Sequence, residues 1–327
     1  MEKCLSRFED LPNELIIDIC KYLNAREIFQ SFYNINYRFK ILVESFDNLQ
    51  LTISLFDSNE KKNYEKFFLY IQILIIDRGI NIDLKHFKKL HRLMLRNPNE
   101  KIFEQLNHYS LPHIEYLSIN HKFLTSTIQS LINNLYQRIF SNHFSNLKFC
   151  NLSEMKIEIP IENWQQSLSL NILKVGEINI FIYRAILSTC PNLYFFELKK
   201  LQHNELLLNI KLHFNLKQLI IKDDDQSFPW NDRFINDYII CVPNLENLTI
   251  HRINFFKKIE QYLNYDWFSS KIIHCLYLLR QFNFILHIYD SKRLTKCYRE
   301  NIFCALKEHF LYLHKDRYQV RIKFVQE

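Results

Sequence analysis

Glycine is almost absent from this chain, since only Gly79 and Gly176 occur among its 327 residues. Loops that cradle a phosphate need several glycines, because only glycine lets backbone amides approach the ligand so closely. The composition therefore argues against a nucleotide-binding enzyme of the P-loop or dinucleotide-binding type.

The spacings typical of metal and redox sites are missing too. The chain has eight cysteines, and no two of them show the C-x-x-C spacing of zinc ligands or redox dithiols. No H-E-x-x-H pattern occurs among the thirteen histidines. We expect no metal, no cofactor and no catalysis. A concealed enzyme site stays open as an alternative, because a nucleophile and its base can be neighbours in space only.

Long apolar runs are also lacking. No run reaches the 18 residues that can span a bilayer, and the most apolar stretch, residues 67–76, has the length of a buried strand or short helix. The N-terminus has Glu2, Glu9 and Asp10 and no apolar secretory segment. These features predict a soluble cytoplasmic or nuclear protein with no membrane partner, whose cysteines are free thiols and mostly small core residues.

The charge is moderate and dispersed. The 42 Lys and Arg residues exceed the 35 Asp and Glu residues, for a formal net charge of +7, without forming a basic arm or stripe. We therefore expect no nucleic acid partner. Hydrophobic residues make up 48% of the chain and charged residues 24%, which is typical of globular proteins, and the length is sufficient for about two domains.

The first informative segment runs from Phe8 to about residue 45. Pro12 suits the first turn of a helix, and Glu9 and Asp10 lie where the helix dipole favours negative charge. Asn24 and Glu27 form a capping-box pattern for a second helix. Apolar side chains recur at helical spacing through all three expected helices: Leu15, Ile16, Ile19, Cys20, Tyr22 and Leu23, then Ile28, Phe32 and Ile35, then Phe39, Leu42 and Val43. Their apolar arc is wider than one small core needs, which predicts a binding partner.

This segment resembles an F-box over about residues 7–45. That family opens with a Leu-Pro pair, here Leu11-Pro12, and has a Tyr-Leu pair, here Tyr22-Leu23; the tryptophan common in its later part is replaced by Tyr37-Arg38-Phe39. The resemblance implies a three-helix module that binds the Skp-type adaptor of cullin-RING ubiquitin ligases. The adaptor contacts that it implies are Leu11, Pro12, Leu15, Ile16, Ile19, Leu23 and Ile28. For single residues such as Leu15, Ile19 and Ile28, a core position is equally compatible with the pattern.

A second feature is the repeated pattern L-x-x-L-x-L. Seven clear copies are Leu90/Leu93/Leu95, Ile114/Leu117/Ile119, Leu147/Cys150/Leu152, Leu170/Leu173/Val175, Leu193/Phe196/Leu198, Leu216/Leu219/Ile221 and Leu245/Leu248/Ile250. They begin 24, 33, 23, 23, 23 and 29 residues apart, which resembles the period of leucine-rich repeats. Weaker copies are Phe46/Leu49/Leu51, Phe68/Ile71/Ile73 and Leu279/Phe282/Phe284.

Each repeat is predicted to contain one strand and one outer helix, because the apolar spacing turns helical between strands, as at Ile182, Ile186 and Cys190. Prolines at 112, 191 and 243 are expected to begin strands. Stacked units would form a parallel sheet on the concave face. The family's usual Asn or Cys, three residues after the last leucine, is replaced by Met155, Ile178, Leu201 and Ile253. We therefore expect the side-chain ladder of the turns to be missing.

The fold class predicted is α/β: an N-terminal F-box at residues 1–45, an irregular leucine-rich-repeat solenoid at 46–260, and a capping region at 261–327. The F-box and solenoid are expected to have separate cores. In the capping region, residues 257–267 (overlapping its start) and 297–314 are predicted to be helical, and residues 318–324 alternate like an edge strand.

Residues between the leucines should point to the concave face. Six basic residues there oppose the single acid Glu197: Arg92, Arg96, Lys174, Lys199, Lys222 and His251. They predict a positive potential that attracts an acidic or phosphorylated protein segment. The alternative is that these cations only cover apolar strand surface.

The function predicted is substrate recognition within a ubiquitin ligase complex, in which the F-box binds the Skp-type adaptor and through it a cullin, while the repeats bind an unknown target protein. The alternative is a non-catalytic interaction scaffold that uses its F-box outside any ligase.

Overall fold

The computed structural model describes residues 8–47, 49–53, 65–78, 80–106, 111–121, 126–157, 164–202, 211–223, 238–255, 276–289, 300–301, 304 and 323–325. The chain divides into two compact units, Met1–Leu135 and Tyr136–Glu327. Both units combine helices with consecutive parallel strands, which is consistent with a solenoid-like α/β fold.

The first unit begins with a short 3₁₀ helix, Phe8–Asp10, and three α-helices: α1 (Asn13–Cys20), α2 (Ala25–Phe32) and α3 (Tyr37–Ser45). The predicted capping box is confirmed: Asn24 Oδ1 accepts a hydrogen bond from the Glu27 N–H at 3.0 Å, and Glu27 Oε2 accepts one from the Asn24 N–H at 2.8 Å. Asn36 caps α3 by accepting from the Phe39 N–H at 3.0 Å. The polar caps thus set where α2 and α3 begin.

Four parallel strands complete the first unit: β1 (Gln50–Ile53), β2 (Ile73–Asp77), β3 (Arg92–Arg96) and β4 (Tyr116–Asn120). The connections contain 3₁₀ helices at Glu65–Tyr70 and Leu84–His86, then α4 (Glu100–Gln105). The next helix, α5 (Ser126–Phe140), follows β4 and continues into the second unit.

The described residues of the second unit contain seven strands in sequential parallel order: β5 (Phe149–Leu152), β6 (Ile172–Asn179), β7 (Phe195–Gln202), β8 (Gln218–Asp223), β9 (Asn247–Phe255), β10 (Gln281–Tyr289) and β11 (Lys323–Val325). One further α-helix, α6 (Ile180–Thr189), connects β6 to β7 and buries Ile182 and Ile186 as predicted. The described residues between β5 and β6, 153–157 and 164–171, contain no helix. The outer helix predicted for this repeat is therefore absent from the described part of the connection, and residues 158–163 lie outside the described residues.

The strand register confirms the repeat frame within each unit. Leu93 pairs with Leu117, and Leu173 pairs with Cys150 and Phe196. The late copy is also in frame, because Phe282 of β10 pairs with Leu248 of β9. Since the aligned leucine positions are all buried, each strand turns one face to the core, and the repeat length sets the stacking.

The frames predicted for two early copies are wrong. Leu51 pairs with Leu74, which in turn pairs with Leu93, so these residues occupy the middle position of the pattern. The second copy is therefore Ile71/Leu74/Ile76 rather than Phe68/Ile71/Ile73, and Leu51 has the place assigned to Leu49. A continuous apolar run such as β2, in which Leu74, Ile75 and Ile76 are all buried, gives no alternation from which to read the frame.

The prolines of the lead-in segments form turns and do not begin strands. The Leu193 N–H donates to the Cys190 carbonyl oxygen at 3.1 Å around Pro191, and the Leu245 N–H donates to Val242 at 3.2 Å around Pro243. The strands start only after these turns. Proline suits the second position of such a turn because its φ is already fixed there.

Asparagine side chains link successive turns in the second unit. The Nδ2 atoms of Asn192, Asn215 and Asn244 donate to the carbonyl oxygens of Leu168, Pro191 and Phe214 at 2.7, 2.8 and 3.1 Å. This asparagine ladder is not the one expected to be missing, which would lie three residues after the last leucine of each repeat. The asparagine ladder is formed before the strands, whereas Met155, after β5, and Ile178, near the end of β6, are buried apolar residues.

The helices do not have a core separate from the first strands. The rings of Phe29 on α2 and Phe67 stack with centroids 3.9 Å apart. Glu44 Oε1 on α3 accepts hydrogen bonds from Tyr33 Oη at 3.0 Å and Tyr70 Oη at 2.9 Å. Because Phe67 and Tyr70 belong to the β1–β2 connection, the prediction of separate cores is wrong.

At the C-terminus, β11 pairs in parallel with β10 at the edge of the sheet. Of the edge strand predicted at residues 318–324, positions 323 and 324 are confirmed as strand. Residues 318–322 lie outside the described residues. Residues 300, 301 and 304 are helical, within the predicted helix 297–314. The helix predicted at 257–267 also lies outside the described residues.

Candidate partner-binding surfaces

Helix α1 exposes an apolar stripe. Leu15 and Ile19, one helical turn apart, are 48% and 38% exposed. Pro12 beside them is exposed as well, and Leu11 and Leu23 are half-buried. We call these five residues the α1 surface.

Two predicted adaptor contacts belong to the core. Ile16 and Ile28 are almost completely buried in this chain, so their side chains offer no surface to a partner. Their assignment as contacts is therefore corrected. The other five predicted contacts coincide with the α1 surface.

Arg38 fixes the segment that leads into α1. Its Nε donates to Asn13 Oδ1 at 2.8 Å, its Nη1 to the Glu9 carbonyl oxygen at 2.7 Å, and its Nη2 to the Leu11 carbonyl oxygen at 2.6 Å. A planar guanidinium presents several donors in fixed directions, so one side chain can hold two backbone carbonyl groups and one side chain of this turn. Sequence reasoning missed this role, because no spacing rule joins residues 25 to 29 positions apart.

Aromatic stacking also holds the segment that leads into α1. The Phe8 ring stacks on Phe32 at 5.5 Å and on Phe39 at 5.9 Å between centroids. Phe39 is completely buried, whereas Tyr37 is exposed. Phe39 thus supplies the aromatic core residue in the Tyr37-Arg38-Phe39 segment.

An open groove of about 770 Å³ lies next to the α1 surface. It is lined by the end of α1, the start of α2 and the chain between α3 and β1, including Tyr22, Leu23, Ile28 and Leu49. Tyr22 is strongly exposed. The groove therefore continues the accessible surface from Tyr22 and Leu23 toward β1, while Ile28 and Leu49 form its buried floor.

The outward face of the sheet in the second unit has a row of apolar side chains. Phe149, Ile172 and Phe195 are in register on β5, β6 and β7, and each is half-buried. Lys174 Nζ lies 5.5 Å from the centroid of the Phe195 ring. Neighbouring side chains cover part of each of these three residues. The rest of their apolar surface is exposed on this face of the sheet.

The basic residues predicted to form a positive surface are mostly paired with carboxylates. Lys174 Nζ lies 3.0 Å from Glu197 Oε2, and Lys222 also contacts Glu197. Lys199 contacts Glu154, and in the first unit Arg96 Nη1 lies 3.3 Å from Asp77 Oδ1.

Four of the six predicted cations thus share three carboxylates, Glu197, Glu154 and Asp77, so the positive potential is weaker than the six cations alone would give. Of the remaining two, Arg92 is exposed and His251 is half-buried.

Glu197 is the buried centre of this charge cluster. Burial by itself would raise the pKa of its carboxyl group, but the hydrogen bonds and charges of Lys222 and Lys174 outweigh burial, so the pKa lies below its ordinary value. A buried carboxylate held between two ammonium groups is a structural feature, and it offsets one of their two positive charges.

The described cysteines do not form a reactive centre. Cys20, Cys150, Cys190 and Cys241 are buried free thiols, as predicted, while Cys304 is exposed. Burial raises the pKa of Cys190 to about 12. A thiol with so high a pKa remains protonated and is a poor nucleophile. Cys4, Cys275 and Cys297 lie outside the described residues.

Within the part of the chain that the structure describes, no three His, Cys, Asp or Glu side chains are grouped so that they could hold a metal ion. No helix among the described residues is sufficiently long and apolar to cross a membrane.

Comparison with known proteins gives no match. No protein-family model matches the chain, and no curated protein is significantly similar to it.

Proposed function

We propose that this protein is a substrate-recognition subunit of a cullin-RING ubiquitin ligase. The α1 surface would bind the Skp-type adaptor, and the parallel-strand repeats would bind a target protein. The contribution of such a subunit is positioning, since holding the target near the transfer machinery raises its effective concentration.

The observation that carries this proposal is the exposed Leu15–Ile19 stripe next to the clamped Leu11-Pro12 turn. Leu15 and Ile19 lie one turn apart on α1 and are 48% and 38% exposed, and Tyr22 just after the helix is 90% exposed. Exposed apolar side chains on one face of a short helix are typical of a protein-binding site. The resemblance of this same segment to an F-box supports a Skp-type adaptor as its partner.

The repeats support the second half of the proposal. The half-buried row Phe149, Ile172 and Phe195 lies on rigid strands beside the Lys174–Glu197 cluster. Aromatic side chains surrounded by paired charges are common in protein interfaces, where the charged rim contributes specificity. A folded or extended protein segment is therefore the target class that this face would accommodate.

The test is direct binding to a purified Skp-type adaptor. The double variant Leu15→Ala/Ile19→Ala should weaken binding by about 2 kcal/mol or more, about 30-fold in Kd, because truncation of central interface residues commonly has this effect. Ile41→Ala/Ile35→Ala is a matched control, since these side chains are 47% and 39% exposed, close to the values for Leu15 and Ile19. The control should bind like the wild type.

Failure of the wild-type chain to bind any Skp-type adaptor would contradict the proposal. Equal loss in both double variants would show that α1 is not the contact. Purification from cells then separates the two functions: recovery of adaptor with cullin supports a ligase subunit, and recovery of adaptor without cullin supports a scaffold outside the ligase.

A further inference from the structure

The turns before the strands of the second unit carry a row of apolar residues. The residue two positions before the first leucine of each repeat is Leu168, Pro191, Phe214, Pro243 or Tyr277 in five consecutive repeats. We call these five residues the turn row. They precede the neighbouring strands β6 to β10, so the sheet order places them side by side at one end of the strands.

Exposure alternates along the turn row. Leu168, Phe214 and Tyr277 are 53%, 55% and 67% exposed, and the prolines between them are half-buried. The turns are held rigidly, because each asparagine of the ladder joins one turn to the next, and Tyr277 Oη donates to Asn244 Oδ1 at 3.1 Å. An exposed aromatic or aliphatic side chain is thus presented at every second strand.

This spacing matches an extended proline-rich segment. Neighbouring strands are about 4.8 Å apart, so side chains at every second strand are about 9.6 Å apart. A polyproline II helix rises about 3.1 Å per residue with three residues per turn, a pitch of about 9.3 Å. The turn row spans four strand intervals, about 19 Å, which is the length of about six residues in that conformation.

The charge around the turn row indicates which residues of the bound segment should lie beside that segment's own prolines. Within three residues of the turn row, the charged side chains are Lys211, Lys217, Arg280 and Glu246, three cations and one anion, or +2. Glu246 already pairs with Lys217 at 3.1 Å and lies 3.7 Å from Arg280, which is strongly exposed. Excess positive charge at the rim favours an acidic ligand.

We propose that the turn row binds a proline-rich segment of a partner protein in the polyproline II conformation, with acidic residues beside its prolines. Proteins usually bind such segments in grooves lined by exposed aromatic rings. The segment loses little conformational entropy on binding, because it already favours the polyproline II conformation when free. This inference does not depend on adaptor binding. It is tested on the full chain alone.

The experiment pans an unbiased library of displayed dodecapeptides against the full chain and measures the affinity of the enriched peptides by fluorescence anisotropy. We expect enriched sequences with prolines three residues apart and with Asp or Glu nearby. Replacement of those prolines by alanine in the peptide should lower affinity at least tenfold, a readout that requires no protein variant.

On the protein side, Phe214→Ser and Tyr277→Ser should each lower affinity at least tenfold. Leu69→Ser, in the first unit, is the control, because Leu69 is also a large apolar side chain that is exposed, although it lies outside the turn row. The control should leave affinity unchanged. Circular dichroism of each variant shows whether its fold is intact, and the proline-to-alanine peptides decide the question if one variant is unfolded.

Three results would overturn the proposal. The first is failure of the library to enrich any peptide, and the second is enrichment of peptides without the three-residue proline spacing. The third is sedimentation that shows a dimer of this chain that Phe214→Ser dissociates, since the row would then be an interface between copies.

Discussion

The guanidinium of Arg38 on α3 donates a hydrogen bond to the carbonyl oxygen of Leu11 at 2.6 Å, joining the third helix to the residue that precedes Pro12. Two further donations from Arg38, to Glu9 and Asn13, hold the turn on both sides of Leu11. The orientation of Leu11 and Pro12 relative to α1 therefore depends on a side chain from another helix.

We predict that Arg38→Met loosens this turn without unfolding the first unit. Net loss of hydrogen bonds to a charged group should lower the free energy of unfolding by about 1–2 kcal/mol, and solvent at this exposed site keeps the loss modest. Amide hydrogen exchange of residues 8–13 should accelerate, while exchange in β3 and β4 stays as in the wild type.

Lys40→Met provides the control, because Lys40 lies on the same helix and is also exposed. It should leave the exchange of residues 8–13 unchanged. If exchange in this segment is the same in Arg38→Met and the wild type, the clamp does not order the turn.

His213 is predicted to make folding depend on pH. Its Nδ1 accepts a hydrogen bond from the Leu216 N–H at 3.0 Å, and its Nε2 lies 3.0 Å from the Cys190 carbonyl oxygen, to which it donates. Burial lowers the pKa of the imidazole in the folded chain, and the bond to Cys190 opposes this only in part. Protonation at Nδ1 would remove the acceptor for Leu216, so the folded state requires the neutral ring.

Because the folded-state pKa is below the unfolded value of about 6.5, the unfolded chain binds the proton first as pH falls. Stability should thus decrease below about pH 6.5, by up to about 1.4 kcal/mol per pH unit, until the folded-state pKa is reached.

Urea unfolding between pH 7.5 and 5 measures this effect. The variant His213→Gln keeps an acceptor but cannot titrate, so it should show a smaller pH slope. Identical slopes in the wild type and His213→Gln would contradict the prediction.

Much of the fold follows from local patterns. The capping box Asn24–Glu27 and the alternating strands with Leu93 or Leu219 inward were predictable, because hydrogen-bonding caps and a one-sided core constrain residues close in sequence. The frame of β2 was not predictable, since a strand with Leu74, Ile75 and Ile76 all buried has no polar face.

The candidate surfaces were predictable only in part. The helical period gives two adjacent stripes on α1 but cannot say which one faces the core, and the structure buries Ile16 while exposing Leu15. Pairing of Lys199 with Glu154 links positions 45 residues apart, so counting charges on strands overestimated the positive potential. Contacts made across repeats have no local signal.

Burial on one face of β8 should give unequal effects at adjacent positions. Leu219 is completely buried, while Gln218 points outward and makes one long hydrogen bond, 3.4 Å, to Tyr194 Oη. Leu219→Ala should lower the free energy of unfolding by about 2–5 kcal/mol, and Gln218→Ala by about 0.5 kcal/mol or less. Chemical denaturation monitored by circular dichroism compares them, and equal shifts would mean that β8 is not buried on one face.

Lys222 should stabilise the chain through Glu197. The variant Lys222→Met removes one of the two ammonium groups that hold this buried carboxylate, and we expect a loss of about 1–3 kcal/mol at pH 7. The depressed pKa of Glu197 contributes stability above its unfolded pKa of about 4.3, and that contribution is lost as pH falls through the folded-state pKa. The loss on substitution should therefore shrink near pH 3.

Lys217→Met is the comparison for Lys222→Met, since Lys217 pairs with the more accessible Glu246. We expect about 0.5 kcal/mol or less for this half-exposed pair. If Lys222→Met and Lys217→Met lower stability equally at pH 7, burial of Glu197 does not matter to the energetics of the cluster.

Gly176 should be intolerant of any side chain, even though its neighbours on β6 accept large ones. After β5 the chain passes close to β6, where the Ile157 N–H donates to the Glu177 carbonyl oxygen at 3.0 Å. A Cβ added at Gly176 would lie 2.2 Å from the Met155 carbonyl oxygen, far inside contact distance. Relief requires the backbone of Met155 to move, because no rotamer change can separate these two atoms.

We therefore expect Gly176→Ala to lower the free energy of unfolding by about 1–3 kcal/mol or more, as for other over-packed core sites. In an ordinary strand the same substitution should stabilise the chain slightly, because glycine weakens strands and loses more entropy on folding. The sign of the change is thus diagnostic. Thermal denaturation of the full chain measures it, and an unchanged or higher Tm would show that β6 and the Met155 backbone are further apart than this contact requires.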